Sequence, residues 1–343
     1  MRIDFLAAQP HYLDHMAPVW YILPNRYKGI FWIPETMLDY VDGTLFHDPL
    51  LKVYNDDTPK LFRGTNPVLV ASYGDMLHVH NANSSLPILM MEHGTGHTFG
   101  KAAYPNGPGK RDHVTMFLSP NQYTVDKIHS VRQAPCHVIG TPKLDKVIQE
   151  INPHRLAKQT PADSPLIAIG FHWGTKRNRP PESGSAFEHY KDIIPELSRQ
   201  YKLLAYGHPL AKAVYKPFYE DLGIEYTSDL FDVMKRADIC INDLSSALYE
   251  FLVTGKPVIV LNAPWFRRDI QHGIRFWDYS DIGINVEKPE ELMPTIENTL
   301  SNYIHVHLQQ RSLATHDLFP FLGHSAERAS EVIQEYLKEQ NVT

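Results

Sequence analysis

The sequence predicts an α/β protein with two Rossmann-like domains that face each other across a cleft, followed by a C-terminal helical segment. Short apolar runs alternate with amphipathic segments along most of the 343 residues, which is typical of βαβ units and parallel sheets. A polar, proline-containing stretch interrupts this alternation near the middle of the chain. We therefore predict an N-terminal domain at residues 1–152, a linker at 153–165, a second domain at 166–305 and C-terminal helices at 306–343.

Nine apolar runs are predicted to be buried strands. They lie at residues 3–8, 67–71, 87–91, 114–118 and 136–139 in the first half, and at 166–171, 202–205, 239–241 and 258–261 in the second. Helices are predicted at residues 188–200, 245–254 and 326–337. Ligands of open parallel sheets bind outside the carboxyl ends of the strands, so we expect the functional side chains directly after these runs.

Composition excludes several classes of protein. The chain carries 33 Lys+Arg against 39 Asp+Glu, and the net charge of -6 argues against a dedicated nucleic-acid binder. No apolar run approaches the roughly 20 residues of a membrane-spanning helix, and the N-terminal run is too short for a signal peptide. Two cysteines imply no disulfide framework. We expect a cytoplasmic protein, with peripheral contact to a membrane left open.

The first segment with chemical potential begins at His93, directly after the predicted strand at 87–91. Its glycines let the backbone approach a ligand closely, and a histidine at a strand end suits proton transfer near neutral pH. The alternative is a glycine turn with one packed histidine. His93 and His97 also have a spacing seen in zinc sites, but the glycines between them disfavour the helix that such a site needs. We therefore predict no metal.

The second half contains two further segments of this kind. His208 and Pro209 follow the strand at 202–205, and alone such a histidine is more typical of a structural role. Residues 239–251 predict a strand, a tight loop and a helix whose N-terminus could hold a phosphate or diphosphate. Asp243, Ser245 or Ser246 would cap that helix. An ordinary capped helix is the alternative.

Two more segments follow predicted strands of the first half. Residues 140–145 come after the run at 136–139 and open a helix. Residues 9–20 are expected to form a loop that offers His11, Asp14 and His15 to an acceptor. The chain contains no P-loop, no Gly-x-Gly-x-x-Gly and no Asp-x-Asp pair, so a metal-chelated nucleotide is not indicated.

Taken in order, these segments resemble the CDP-glycerol glycerophosphotransferase family, the teichoic-acid primases and polymerases. The order and spacing agree over roughly residues 65–285, and the resemblance implies a two-domain GT-B fold. The matching motifs are His93-Gly94-Thr95, Gly140-Thr141-Pro142-Lys143-Leu144-Asp145, His208-Pro209, and Asp243–Ser246 followed by Glu250 and Lys256-Pro257.

The resemblance also implies roles for these residues. His93 would be the base that deprotonates an acceptor hydroxyl, His208 would contact the donor diphosphate, and Glu250 would bind the ribose. The remaining donor contacts would come from Gly94, Thr95, Gly140, Thr141, Asp243, Ser245 and Ser246. The nucleotide-diphosphate donor, with cytidine favoured, is a substrate, so no cofactor is implied. The acceptor would be a hydroxyl of a glycan or of a wall or capsule polymer.

Three alternatives remain open at this point. A UDP-sugar-dependent glycosyltransferase and a GT-B-fold UDP-N-acetylglucosamine 2-epimerase have the same predicted fold and a similar placement of histidine and glutamate. The third is a nucleotide- or glycan-binding module without catalysis. An epimerase would convert its UDP-sugar with no acceptor present, whereas a transferase requires one.

Overall fold

The computed structural model describes residues 1–55, 62, 64–93, 112–130, 132–150, 163–172, 185–208, 211–243, 245–266 and 281–340. They form two compact α/β units. The first unit holds the described residues up to 146 together with those from 317 onward, and the second unit holds those from 147 to 316. None of the helices in the described ranges combines the length and apolar character that a membrane crossing requires.

The first unit is built on a seven-stranded parallel sheet. Its strands are β1 (Ile3–Leu6), β2 (Lys28–Pro34), β3 (Leu51–Tyr54), β4 (Val68–Val70), β5 (Ile88–Met91), β6 (Val114–Ser119) and β7 (Cys136–Val138). They lie in the order β3-β2-β1-β4-β5-β6-β7. The direction of winding reverses between β1 and β4, and in such sheets the reversal opens a ligand crevice at the carboxyl ends of the strands.

Before the chain enters the second unit, four α-helices of the described residues accompany this sheet, and a fifth, α5 (Asp145–Glu150), crosses into the second unit after Lys146. The first of them packs an apolar face on the sheet, because Leu13, Met16 and Trp20 recur at helical spacing and are buried. The Trp20 ring lies edge-on to Phe5 of β1, with 5.0 Å between ring centroids. The helices are α1 (Pro10–Ile22), α2 (Gly43–Phe46), α3 (Tyr73–Ala82), α4 (Gln122–His129) and α5 (Asp145–Glu150).

The second unit repeats the same topology with six parallel strands. They are β8 (Leu166–Phe171), β9 (Lys202–Gly207), β10 (Glu225–Thr227), β11 (Ile239–Asn242), β12 (Val258–Leu261) and β13 (Ile284–Val286), in the order β10-β9-β8-β11-β12-β13. The winding reverses between β8 and β11. The helices are α6 (Phe187–Tyr190), α7 (Ile194–Gln200), α8 (Lys212–Asp221), α9 (Leu230–Arg236), α10 (Ser246–Phe251), α11 (Leu292–Ser301) and α12 (Leu308–Leu318).

A buried lysine closes the C-terminal end of α9. Lys256 is only 6% exposed, and its Nζ donates to the carbonyl oxygens of Met234 at 3.0 Å and Ala237 at 2.6 Å. Carbonyls in the last turn of a helix lack partners within the helix, and a cation there also suits the helix dipole. The lysine of the Lys256-Pro257 motif therefore stabilises the fold of the second unit.

The last helix, α13 (Ser325–Glu339), returns to the first unit. Its buried residues Ala329, Ile333 and Leu337 share one apolar core with Leu13 and Met16 of α1. The amphipathic pattern predicted at residues 326–337 is thus confirmed, and its apolar face covers the same sheet that α1 covers.

All nine predicted strands are present, and their ends differ from the predicted ends by at most two residues. Four strands escaped prediction: β2, β3, β10 and β13, which are short or mix polar with apolar side chains. The expectation of a loop at residues 9–20 is wrong, because Pro10 begins α1 and the buried side chains that follow recur with helical period. The predicted linker lies mostly outside the described residues.

Candidate functional site

His93 follows β5 and is held by the strand beside it. Its Nδ1 lies 2.5 Å from the carbonyl oxygen of Ala71, the residue that follows β4. Since a carbonyl oxygen only accepts, Nδ1 carries the proton in this bond, and Nε2 is the basic nitrogen of the neutral ring. This tautomer is the one that a general base on Nε2 requires.

The first turn of α1 brings two further rings to His93. The ring centroid of Tyr12 lies 4.7 Å from that of His93, and the centroid of His11 lies 5.4 Å from it. The rings of His11 and Tyr12 are themselves 4.2 Å apart. The structure thus places His11, a predicted acceptor residue, beside His93, although the two are far apart in sequence.

His15 lies one helical turn beyond His11 and is 2% exposed. Burial lowers the pKa of His15 well below its usual range, and the neighbouring Lys143, His93 and His11 lower it further when they are protonated. His15 is therefore neutral at physiological pH. Lys143 belongs to the turn after β7, so a cation also reaches this cluster. Asp14, the third predicted acceptor residue, is exposed.

Sequence reasoning missed two residues that support this cluster, Ser72 and Asp75. Ser72 caps α3, and its Oγ accepts from the N–H of Asp75 at 3.1 Å. The Asp75 carboxylate lies near the Ser72 hydroxyl and accepts from the N–H of Ala8 at 3.5 Å. Burial raises the pKa of Asp75 to about 7, although both of these neighbours lower it. A Ser-x-x-Asp pattern directly after a strand signals such a helix start.

The motif that begins at Gly140 anchors the last helix. Gly140 has a φ of +80°, and a Cβ there would lie 2.4 Å from the Pro320 carbonyl oxygen and from Ser325 Oγ. The Asp145 carboxylate accepts from the N–H groups of the first two residues of α13 at 3.1 and 2.7 Å. Thr141, which lies between Gly140 and Asp145 in the sequence, is buried. The observed contacts of Gly140 are structural, and the predicted donor contacts of Gly140 and Thr141 stay predictions.

In the second unit, Asp243 follows β11 and binds two separate segments of the chain. Its carboxylate oxygens accept from the N–H of His172 at 2.7 Å, the N–H of Ala186 at 2.8 Å and the hydroxyl of Ser185 at 3.2 Å. His172 comes directly after β8, the strand next to β11. Asp243 therefore fixes the backbone between β8 and β11, where the winding of the sheet reverses. Its predicted contact with the donor stays a prediction.

The other predicted donor residues of this unit also follow β9 and β11. Ser245 caps α10, accepting from the N–H of Ala247 at 3.2 Å, and both Ser245 and Ser246 are half-buried. Glu250 lies on the same helix and is fully buried. His208 is half-buried directly after β9. Since β8 pairs with both β9 and β11, these residues belong to one edge of the sheet.

Four residues of the quoted motifs, Gly94, Thr95, Pro209 and Leu244, lie outside the described residues. Across the ranges that the structure describes, no three His, Cys, Asp or Glu side chains are grouped so that they could hold a metal ion.

Two α/β units of identical winding, each on a parallel sheet with polar side chains after its strands, are the two-domain GT-B fold that the sequence resemblance implied. A family model described as CDP-Glycerol:Poly(glycerophosphate) glycerophosphotransferase matches residues 75–319, which is most of the chain. The chain belongs to this family and is a transferase. The resemblance inferred from the four motifs is thus confirmed.

Solved structures give the same fold over the whole chain. The wall teichoic acid polymerase TagF has a TM-score of 0.69 at 15% identity, with 100% of this chain and 90% of that chain covered. A TagF variant soaked with CDPG gives 0.69 at 14% identity, over 99% and 89%. The UDP-GlcNAc 2-epimerase from Neisseria meningitidis, bound to UDP-GlcNAc, gives 0.58 at 14% identity, over 99% and 100%. No curated protein sequence matches the chain.

Proposed function

We propose that this protein transfers a glycerol-phosphate-like group from a cytidine-diphosphate donor to a hydroxyl acceptor, without a metal ion, and that His93 is the base. The acceptor oxygen forms a bond to the phosphorus of the transferred group as the bond from that phosphorus to CMP breaks. The hydroxyl proton passes to Nε2 of His93, and CMP leaves with the electron pair of the broken bond. Charge builds on the departing phosphate, so donors directed at it lower the barrier.

The observation that carries the proposal is the bond between His93 and the Ala71 carbonyl. It favours the tautomer in which Nε2 takes a proton, and the histidine stands at a strand end where ligands of parallel sheets bind. Family membership supplies the reaction type. The proposal extends to His11, Asp14 and His15 as acceptor contacts, because two of the three side chains lie in the cluster around His93.

On the donor side, we assign the diphosphate to His208, Ser245 and Ser246, with backbone N–H groups, and the ribose to Glu250. Asp243 contributes by fixing the backbone of His172 and Ala186 beside the end of β11. Gly94, Thr95, Gly140 and Thr141 complete the proposed set.

The base assignment is tested by replacing His93 with alanine. Release of CMP from CDP-glycerol, measured with a short poly(glycerol phosphate) primer, should fall by about 10²- to 10⁴-fold. His129→Ala is the matched control, because His129 also bonds a backbone carbonyl through a ring nitrogen, at 3.1 Å, but is exposed. The control should keep its turnover. Near-normal turnover of His93→Ala, with an unchanged melting temperature, would remove His93 as the base.

The donor is tested by thermal shift in the presence of EDTA, with CDP, CMP, UDP, GDP, CDP-glycerol and UDP-N-acetylglucosamine. A ligand that binds only the folded state raises the melting temperature according to its concentration over Kd. We expect shifts with the cytidine diphosphates. Shifts confined to uridine diphosphates would favour a sugar transferase, or the epimerase if UDP-N-acetylglucosamine is converted with no acceptor. Loss of the cytidine shifts in EDTA would contradict metal independence.

We further propose a cytoplasmic enzyme that acts on a glycan or on a wall or capsule polymer, with peripheral association at the membrane and no role for nucleic acid. Fractionation of cells that express the tagged chain tests the location. Recovery with the membrane fraction that high salt reverses would support peripheral association, and secretion into the medium would contradict the proposal.

A further inference from the structure

The pairing of β8 with β9 places two histidines side by side at the carboxyl edge of the second sheet. Phe171 and Gly207 are the last residues of these strands, and they lie opposite each other in the parallel register. The residues that follow them are His172 and His208. Since neighbouring strands are only about 5 Å apart, the two histidines leave the sheet next to each other.

The two histidines lie at the reversal of winding in this sheet. β8 is flanked by β9 on one side and by β11 on the other, and the reversal falls between β8 and β11. His172 therefore stands between His208 and the segment after β11, where Asp243 and Ser245 precede α10. These are the two places to which we assign the donor diphosphate, and ligands of such sheets bind at the reversal.

Two buried side chains hold the backbone of His172. Its N–H donates to the Asp243 carboxylate at 2.7 Å, and its carbonyl oxygen accepts from the hydroxyl of Tyr215 at 2.8 Å. Asp243 is 3% exposed, and Tyr215, on α8, is 4% exposed. A polar side chain is costly to bury unless it is hydrogen-bonded, and here two of them bond a single residue directly after a strand. The position of His172 is thus fixed through both its N–H and its carbonyl.

Packing in the core of the second unit does not account for His172. Ile167, Ile169 and Phe171 alternate along β8 and belong to that core. Successive side chains of a strand point to opposite faces, so position 172 falls on the other face. His172 is half-buried. Since its N–H and carbonyl are both bound, the side chain is the part of His172 that a ligand at this edge would contact.

We propose that His172 binds the diphosphate of the nucleotide donor together with His208. This inference rests on the proposed donor site of the second unit. Each imidazole can donate an N–H to a phosphate oxygen, and hydrogen bonds to charged groups are stronger than bonds between neutral groups. The bonds to Asp243 and Tyr215 hold His172 in place before the donor arrives, so little reorganisation accompanies binding.

The test is the binding of CDP, measured by isothermal titration calorimetry. His172→Ala should raise the Kd of CDP about tenfold, because one charge-assisted hydrogen bond is lost. His189→Ala is the matched control. His189 is also half-buried, and its Nε2 lies 3.1 Å from the carbonyl oxygen of Glu287, directly after β13 at the far side of the same sheet. The control should keep its Kd within about twofold of the wild type.

A second variant tests the fixed backbone. Tyr215→Phe keeps the ring but removes the hydroxyl that bonds the His172 carbonyl, and it should raise the Kd of CDP about threefold. Tyr219→Phe is its control, because Tyr219 lies one turn further along α8 and is fully buried. Within the described residues its hydroxyl has no hydrogen-bond partner. Tyr219→Phe should leave the Kd unchanged.

Two results would overturn the inference: a wild-type Kd for His172→Ala, or an equal rise in Kd for His172→Ala and His189→Ala. If His172→Ala does not fold, His172→Leu replaces it, since leucine fills the space without a donor, and the same rise is expected. The wild type separates this inference from the proposed function. Absence of CDP binding to the wild type removes the proposed donor site, whereas CDP binding that His172→Ala leaves unchanged removes only the role of His172.

Discussion

The two units have the same winding but use the carboxyl edge of their sheets differently. After the strands of the first unit, side chains meet one another: the rings of His11, Tyr12 and His93 lie within 5.4 Å of each other. After the strands of the second unit, a side chain meets the backbone, because Asp243 accepts from N–H groups of two separate segments. The carboxyl edge of the first sheet (the first edge) thus groups side chains, and that of the second sheet (the second edge) fixes the backbone at His172 and Ala186.

This difference fits the function that we propose, with a base in the first edge and a diphosphate site in the second. A base needs a defined tautomer and direction, which neighbouring rings and one carbonyl provide. A diphosphate needs several donors fixed before it arrives, which a braced backbone provides without reorganisation. Substitutions in the first edge should therefore change turnover, whereas substitutions in the second should first change stability.

The largest expected loss of stability comes from Asp243→Ala. It removes the acceptor of two backbone N–H groups and one hydroxyl, and Asp243 itself is only 3% exposed. We expect a cost of about 3 to 5 kcal/mol in denaturant unfolding. Hydrogen exchange should show lost protection at the amides of His172 and Ala186.

Asp229→Ala is the control in the same unit. Asp229 caps α9 by accepting one bond from the N–H of Phe231 at 2.8 Å, in an exposed place. Its loss should cost about 1 kcal/mol. Equal losses for the two variants would mean that Asp243 does no more than a surface cap, and the comparison between the two edges would fail.

Next in size is Gly140→Ala in the first unit. The new methyl group would overlap the carbonyl of Pro320 and the hydroxyl of Ser325 at 2.4 Å, at a φ of +80°. We expect a cost of about 3 kcal/mol, from both the backbone strain and the displaced α13. Gly223→Ala is a matched control, since Gly223 has a φ of +70° with nothing within 4 Å of its Cβ. The control should cost about 1 kcal/mol. Equal melting temperatures would show that α13 is not anchored here.

The sequence predicted the strands of both cores because each is a short apolar run between turn residues. It failed at β10 and β13, three-residue strands of which only Val286 of β13 is buried. It also failed at α1, where Pro18 lies inside the helix, a position that ordinarily breaks one. Short apolar runs reveal their strands locally, whereas strands that mix polar with apolar side chains, such as β2 and β3, form through pairing that a single run of residues does not encode.

The residues of the candidate site also differ in whether the local sequence reveals them. His93 could be found because a histidine follows a buried strand and precedes glycines. Tyr12, Ser72 and Asp75 could not be grouped with it, since Ala8 and Asp75, which are bonded, are 67 residues apart. The topology brings these segments together: β1 and β4 are neighbours in the sheet, so the residues that follow them meet.

A third expected effect is a pH dependence of stability that comes from Asp75 in the first edge. Burial raises the pKa of Asp75 to about 7, so folding holds its proton at a pH where the unfolded chain has lost it. Its contribution to stability is therefore full below about pH 4 and decreases as the pH rises to about 7. Asp75→Asn removes this dependence. Relative to the wild type, the variant should gain about 2 kcal/mol between pH 5 and pH 8 in denaturant unfolding.

The control for the pH effect is Asp229→Asn in the second unit, where the carboxylate is exposed. Its difference from the wild type should be nearly the same at pH 5 and pH 8. If the stability difference between Asp75→Asn and the wild type is also the same at pH 5 and pH 8, then folding does not raise the pKa of Asp75. The buried carboxylate would then not distinguish the first edge from the second.

The smallest expected effect separates capping from donor binding at the second edge. Ser245 caps α10, and aspartate is an equally good cap, so Ser245→Asp should keep the melting temperature within about 2 °C. The added negative charge would stand where we propose that the donor diphosphate binds, and it should raise the donor KM about tenfold at low salt. Ser245→Ala should do the opposite, with about 1 kcal/mol of stability lost and a smaller rise in KM. A donor KM that Ser245→Asp leaves unchanged would move the diphosphate away from α10, and the second edge would then have a structural role alone.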